Sequence, residues 1–349
     1  MSSADESKGD DDVRKKVLGL LEKCDAALGA PKERKKGEVY VDIFEKEELL
    51  WLIAETKMKL LAEPTLLELE APMFVVGDIH GQYKDLSRAI KKCGEPSADT
   101  KYLFLGDYVD RGKFGIECIT YVCCQKMLYP QSMYMLRGNH ECSSINRIYG
   151  FYEECKRRFG QQIWISFCSL FDCLPLAAVI SERIFCVHGG LSPQLTSVDL
   201  LKAVDRPVEI PDSGLLNDLL WSDPDADVME WGESDRGVSF VFGPEAIDAF
   251  LARHDYDLVV RAHQVVENGY EFFNSNKLLT IFTAPNYCGE FDNAGAVLEI
   301  AEDLECSIHV LKPQNDAIQY MYDGERGNMS PNSRRTFAKN SKVLEKVDE

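Results

Sequence analysis

The chain has 349 residues, 45% of them hydrophobic, enough for one large or two ordinary domains with a substantial core. Its 39 basic and 58 acidic residues give a net charge of −19, which works against nucleic acid and anionic lipid as bulk partners and suits a cationic or peptide partner better. The opening MSSADESKGDDD has neither a cationic start nor an apolar core and does not read as a secretory signal, and no run approaches the roughly 18 apolar residues of a membrane span.

Residues 1–12 are small, polar and acidic, and are expected to be disordered. From Val13, the apolar residues Val17, Leu20, Leu21, Cys24 and Leu28 recur at helical spacing, with Asp10 to Asp12 at the positive end of the predicted helix. A lysine-rich link, PKERKKG, follows within this extension (13–44). A second helical pattern runs from Glu45 to about Ala62, where Pro64 stops it.

From residue 73 the texture changes to short apolar runs, MFVV, YLFL, MYML, RIFCV, DLVV and LLTIF. They are followed respectively by GDIHG, GDYVDRG, RGNHE, HGG, RAHQ and TAPNYCG. Runs this short and this apolar are buried strands. Between the first three loops, YKDLSRAIKKCG and GIECITYVCCQKM have helical spacing. The second holds the adjacent Cys123 and Cys124, poorly placed for ordinary bridges. The 12 thiols are therefore expected to be reduced, as in a cytoplasmic or nuclear protein. Asp78 to Asp107 and Asp107 to Asn139 are 29 and 32 residues apart, matching βαβ units of roughly 30 residues. The polar loops should then gather at one edge of an α/β sheet, where open sheets hold ligands. A catalytic domain is expected over 45–312, and 313–349 reads as a flexible tail.

GDYVDRG superficially resembles a phosphate-cradling nucleotide loop, but five residues separate its glycines where four are needed, and Phe114 stands in place of the Ser or Thr that meets magnesium. Its aspartates therefore need another explanation. Of the six histidines, His80, His140, His188 and His263 lie in the strand-end loops, accompanied by Asp78 and Asn139. A lone strand histidine is more often a satisfied core residue; four in matching loops beside Asp and Asn reverse that expectation. Such donors without thiolates suit a hard or borderline divalent ion such as manganese, iron or zinc, and not a structural zinc site.

The motifs GDIHG, GDYVDRG, GNHE, HGG and RAHQ, in this order, resemble the signatures of the phosphoprotein phosphatase family of metal-dependent serine/threonine phosphatases. INRIYGFYEECKRR, LLWSDPD, WGESDRGVSFVFG and APNYCGEFDNAGA are similar to the type 1 catalytic subunit in particular, over roughly residues 45–312. The resemblance implies a calcineurin-like metallophosphoesterase fold, a central β-sandwich flanked by helices in four layers. It implies one metal site at Asp78, His80 and Asp107 and a second at Asp107, Asn139, His188 and His263. Phosphoserine and phosphothreonine would be hydrolysed by a hydroxide bridging the two ions, with no phosphoenzyme.

By the same resemblance, Arg111 and Arg236 grip phosphate, as the planar guanidinium fork suits, and Asn139 also donates its amide. His140 is the general acid and Asp110 orients it. Tyr287 flanks the site, and Cys288 is the thiol that cyclic toxins modify. Asp223, Asp225, Asp235 and Glu290 correspond to a groove favouring basic sequence around the phosphosite. Regulatory and inhibitor proteins with short hydrophobic motifs would dock at Ile184, Leu258, Phe272, Leu304 and Cys306, whereas Asn276, Glu305 and Ile308 depart from the family there. In the tail, Thr336 lacks the usual following prolines; Ser330 before Pro331 offers an alternative phosphosite, but an unmodified tail is the expectation.

Other functions remain to be weighed. A phosphoesterase acting on nucleotides uses the same donors, but the charge and the long phosphatase-like stretches oppose it. A scaffold without catalysis conflicts with the complete donor set, and a cysteine-dependent phosphatase is excluded because no His-Cys pair occurs.

Overall fold

A strand buried on both faces needs apolar residues at nearly every position, and apart from Arg183, Asp257 and Thr280 the six runs above meet that requirement. The computed structural model describes residues 3–29 and 42–314; the lysine-rich link and residues 315–349, with Ser330 and Thr336, lie outside them, as do the side chains of residues 3–10. In chain order come α1 (Ser3–Gly29), α2 (Lys46–Leu61), β1 (Leu66–Leu69), β2 (Met73–Val76), α3 (Tyr83–Cys93), β3 (Tyr102–Phe104), α4 (Gly115–Leu128) and β4 (Met133–Met135). Then follow α5 (Ser143–Asn146), α6 (Phe151–Arg158), α7 (Gln161–Phe171), β5 (Ala177–Ile180), β6 (Ile184–Val187), α8 (Asp199–Lys202), α9 (Leu215–Trp221) and β7 (Asp223–Pro224). The last are β8 (Trp231–Glu233), β9 (Phe240–Phe242), α10 (Pro244–His254), β10 (Leu258–Arg261), β11 (Tyr270–Phe273), β12 (Leu278–Ile281), β13 (Gly295–Ile300) and β14 (Cys306–Leu311).

The first helix starts at Ser3, so the acidic residues expected to be disordered are helical, and Asp10 to Asp12 lie inside the helix and not at its positive end. Ala4, Glu6 and Lys8 are good helix formers and no proline interrupts them. Val17, Leu20 and Cys24 are buried, and Lys23 pairs with Glu48 of α2 at 2.6 Å.

Motif order alone suggests one α/β sheet; the chain forms two large ones, ordered β1-β5-β6-β10-β12-β11 and β14-β13-β2-β3-β4, plus a small β7-β9-β8 sheet. The side-chain alternation along each strand explains the arrangement. Met73 and Val75 of β2 join the same apolar cluster as Ile184 and Cys186 of β6, which fills the space between the sheets. Val76 faces the opposite way, toward α1, α2, α3, α4, α6 and α7. Phe185 and Val187 face α8, α9 and α10. The result is the four-layer sandwich implied by the family resemblance.

In the second sheet β2, β3 and β4 run parallel through the helices α3 and α4, as the βαβ spacing predicts. In the first, β6, β10 and β12 are parallel too. A bridge between Asp78 and Phe282 joins the carboxyl ends of β2 and β12 across the sandwich. Six loops from two sheets are thereby brought to one rim.

Candidate metal centre and phosphate site

Several site residues sit where L-residues rarely do. His80 (φ 47°), Asp107 (54°), Asp110 (69°), Arg111 (66°) and His263 (71°) are all left-handed, a conformation that persists only when surrounding bonds over-determine it. The Glu141 carboxylate accepts the N–H groups of Asp107 (2.7 Å), Tyr108 (3.0 Å) and Gly138 (3.0 Å), locking the second and third loops together. Asp107 Oδ1 accepts the His140 N–H (2.9 Å), and Asp78 Oδ1 that of His263 (3.0 Å). A Cβ on Gly138 would lie 2.2 Å from Asp107 Oδ1, so this glycine permits close backbone approach.

Lone pairs converge in the middle. His188 Nδ1 donates to the Leu105 carbonyl (3.1 Å), and burial pushes the imidazole down to about 3, so at neutral pH its Nε2 has no proton. That Nε2 is 2.9 Å from Asn139 Oδ1, which also accepts only, and 3.2 Å from His263 Nδ1. Two acceptors at this distance need a cation between or beside them. His80 donates from Nδ1 to the Val109 carbonyl (2.9 Å) and aims Nε2 at Asp78 (3.5 Å) and Asp107 (3.4 Å). Asp107 Oδ2 is also 3.5 Å from His188 Nε2, so it faces both histidine groups.

Two sets of donor atoms, His80–Asp107–His140 and Asp107–His188–His263, each lie within 4.8 Å of one another and could hold an ion, with Asp107 common to both. The oxygen and imidazole donors, the backbone-bonded far side of His80 and His188, and near-complete burial all fit divalent ions. Burial raises Asp107 well above the ordinary carboxylate range, with Asp78 and Glu141 adding to it, a tension that bound cations would relieve. Burial works to raise Asp78 as well, but hydrogen bonding to His80 and to the His263 N–H keeps its carboxyl below the usual range.

His140 differs from the other histidines. Its Nδ1 is 2.6 Å from Asp110 Oδ2, whose other oxygen accepts the Phe151 N–H at the start of α6 (2.8 Å). Burial, then His80 and Arg111, hold the imidazole well below its usual range, and burial lifts Asp110 to about 7. Arg111 lies 4.2 Å over the Tyr149 ring, and among the described residues its buried Nε has no hydrogen-bond partner. Arg236 is held through Nε by Asp223 (2.5 Å). The Tyr287 ring is 5.1 Å from that of His80, and Cys288, half-buried, is the next residue in the same loop.

Residues 71–267 match the Calcineurin-like phosphoesterase family. The chain belongs to that family. This phosphoesterase is similar to a protein serine/threonine phosphatase from Saccharomyces cerevisiae, itself described as similar to human phosphatase PP5, with 33% identity over 78% of this chain and 91% of that one (TM-score 0.74). A cold-active protein-tyrosine phosphatase of a Shewanella species shares the fold, at 15% identity over 80% of this chain and 89% of that one (TM-score 0.52).

Not every sequence expectation places a residue at the rim. Asp223 is buried between Arg236 and Arg261, so its charge is spent on them and is not open to a basic substrate. Asp225 takes the Asp227 N–H, and Asp235 is exposed. Ile184 and Leu258 are register partners at the amino ends of β6 and β10, far along their strands from His188 and His263. Both are buried, with Leu304 and Ile308 packed on the same cluster, while Phe272, Asn276, Glu305 and Cys306 are exposed. Glu141, Tyr149 and Arg261 were missed. Glu141 and Arg261 stand inside the RGNHE and RAHQ motifs, beside the Asn and His residues that donor chemistry singles out.

Proposed function

We propose that this phosphoesterase is a serine/threonine protein phosphatase, a type 1-like catalytic subunit acting on phosphoserine and phosphothreonine in proteins. The observation that carries the proposal is the set of groups around the convergent lone pairs: an unpartnered buried guanidinium nitrogen on Arg111, and a His140 ring held by a carboxylate. The similarity to the yeast phosphatase supports the substrate class. Asp78, His80 and Asp107 would hold one divalent ion, and Asp107, Asn139, His188 and His263 the other. Manganese would serve in vitro, and iron or zinc in the cell. When bound, the ions supply Lewis acidity toward water and the phosphoryl oxygens.

The chain's own residues do the rest. Arg111 and Arg236 bind the phosphate dianion, aided by the Asn139 amide, and fix its orientation. The positive charge of Arg111 contributes to holding His140 low, so an arriving dianion offsets it and favours the imidazolium. His140 then holds at Nε2 the proton that the poor leaving alkoxide of Ser or Thr requires, while Asp110 fixes the ring. Tyr287 walls the site beside His80. Hydrophobic-motif regulators docking near Phe272 and Cys306, and a cytoplasmic or nuclear location, complete the proposal.

The test is phosphate release from a phosphothreonine peptide with manganese, comparing wild type, Asp107→Asn and His140→Ala. Loss in both variants with metal content falling only in the first is expected. Turnover of a dinucleoside polyphosphate exceeding that of the peptide would count against a protein substrate.

A further inference from the structure

We infer that Arg261 is a positioning residue that locks both histidine loops to the phosphate-facing Arg236 through Asp223, an inference that rests on the phosphate site proposed above. Arg261 closes β10 and is fully buried. Its Nε donates to the Gly189 carbonyl (2.5 Å), next to His188, and its Nη1 to Gln264 Oε1 (3.0 Å), next to His263. Its Nη2 donates to the Ser222 carbonyl (3.3 Å) and to Asp223 Oδ1 (2.8 Å). The remaining oxygen of Asp223 accepts Arg236 Nε at 2.5 Å.

Burying a guanidinium is costly, and an apolar side chain would fill this space with no such penalty. The planar fork does what an apolar residue or Lys does not: it reaches three loops at fixed angles. Arg236 belongs to the turn between β8 and β9 of the small sheet, outside the sandwich, and its side chain is 34% exposed. Among the described residues its Nη atoms make no hydrogen bond to protein. A long exposed side chain left alone would sample many rotamers; the Asp223 carboxylate, itself fixed by Arg261, holds it by Nε and leaves the Nη pair for a phosphate oxygen. One buried residue thus sets the distance between the anion grip and the His188 and His263 loops.

The test uses manganese-loaded protein and inorganic phosphate as probe, with calorimetric Kd, kcat and KM on p-nitrophenyl phosphate, and thermal melts. Arg261→Lys and Asp223→Asn should each weaken phosphate binding and lower kcat/KM about tenfold or more. Neither should add to the loss already caused by Arg236→Ala, because all three act through one grip. A lower Tm with unchanged phosphate Kd, or losses that add fully to Arg236→Ala, overturns the inference. Should Arg261→Lys not fold, Asp223→Asn decides alone, since Asn keeps one oxygen for Arg261 and loses the carboxylate that Arg236 needs. Wild-type protein that binds phosphate but leaves phosphopeptides intact defeats only the protein-substrate proposal; wild-type protein that binds no phosphate defeats both.

Discussion

Asp110→Asn isolates the acid from the rest of the site. The amide keeps the shape and one oxygen, so the Phe151 N–H retains its acceptor and the start of α6 is preserved. What disappears is a charge-assisted bond to His140 Nδ1 at 2.6 Å, of a kind worth about 1.5–3 kcal/mol. At 1.36 kcal/mol per unit, that lowers the imidazolium pKa by about 1–2 units. Burial, His80 and Arg111 already depress His140, so the substitution moves it further in the same direction. A general acid is lost as pH rises through its pKa, so the basic limb of the kcat profile should shift about 1–2 units toward lower pH. On a phosphothreonine peptide kcat should fall about tenfold to hundredfold near neutrality, with KM little changed. p-Nitrophenolate departs without a proton, so p-nitrophenyl phosphate should largely keep its rate. Equal losses on the two substrates, or an unshifted basic limb, would refute the assignment of His140 and Asp110.

Gly138→Ala forces a methyl to within 2.2 Å of Asp107 Oδ1 and 2.4 Å of Asp107 N; it should cost about 1–3 kcal/mol in urea melts and lower the metal content measured by elemental analysis. Arg158 donates all five N–H groups to Asp42, Glu117 and Glu154, so Arg158→Ala leaves buried carboxylates without their cation and should cost about 3–5 kcal/mol. That cost should be largest above pH 8 and shrink as pH falls through about 8, because burial lifts Glu154 to that value and its protonation removes an uncompensated charge; a series of melts across this window with an unvarying difference would contradict it. Chelator should lower Tm and abolish activity, and manganese restored at a hundred times its Kd should return about 2.7 kcal/mol per site in wild type, less in His188→Ala.

How much of this was legible depended on the kind of residue. The six buried strands announce themselves, because a run such as MFVV or IFCV has no polar position through which to face water. β14, CSIHVL, pairs on one side only and is half exposed, so its composition does not separate it from a loop. β5 follows β1 in the sheet although more than a hundred residues separate them in the chain, and no local pattern encodes that partnership. Asp78, His80, Asp107, Asn139, His188 and His263 were accessible because strand-end position and donor chemistry coincide. Asp223 was not: as a letter it is an acid in a polar stretch, and its meaning comes from the two arginines on either side of it.

The sequence by itself therefore determined which segments must be buried, which loops follow them and which donors those loops carry, since hydrophobic periodicity and ligand chemistry are local properties. Only tertiary structure decided that the segments divide between two facing sheets, because alternate side chains of β2 and β6 need a common apolar layer that neither strand can supply alone. It also decided which polar residues are spent on one another. Glu141 on three backbone N–H groups, Asp110 on His140, and Arg261 on three loops are partnerships of residues distant in the chain, and the free energy of a buried polar group depends on its partner rather than its type.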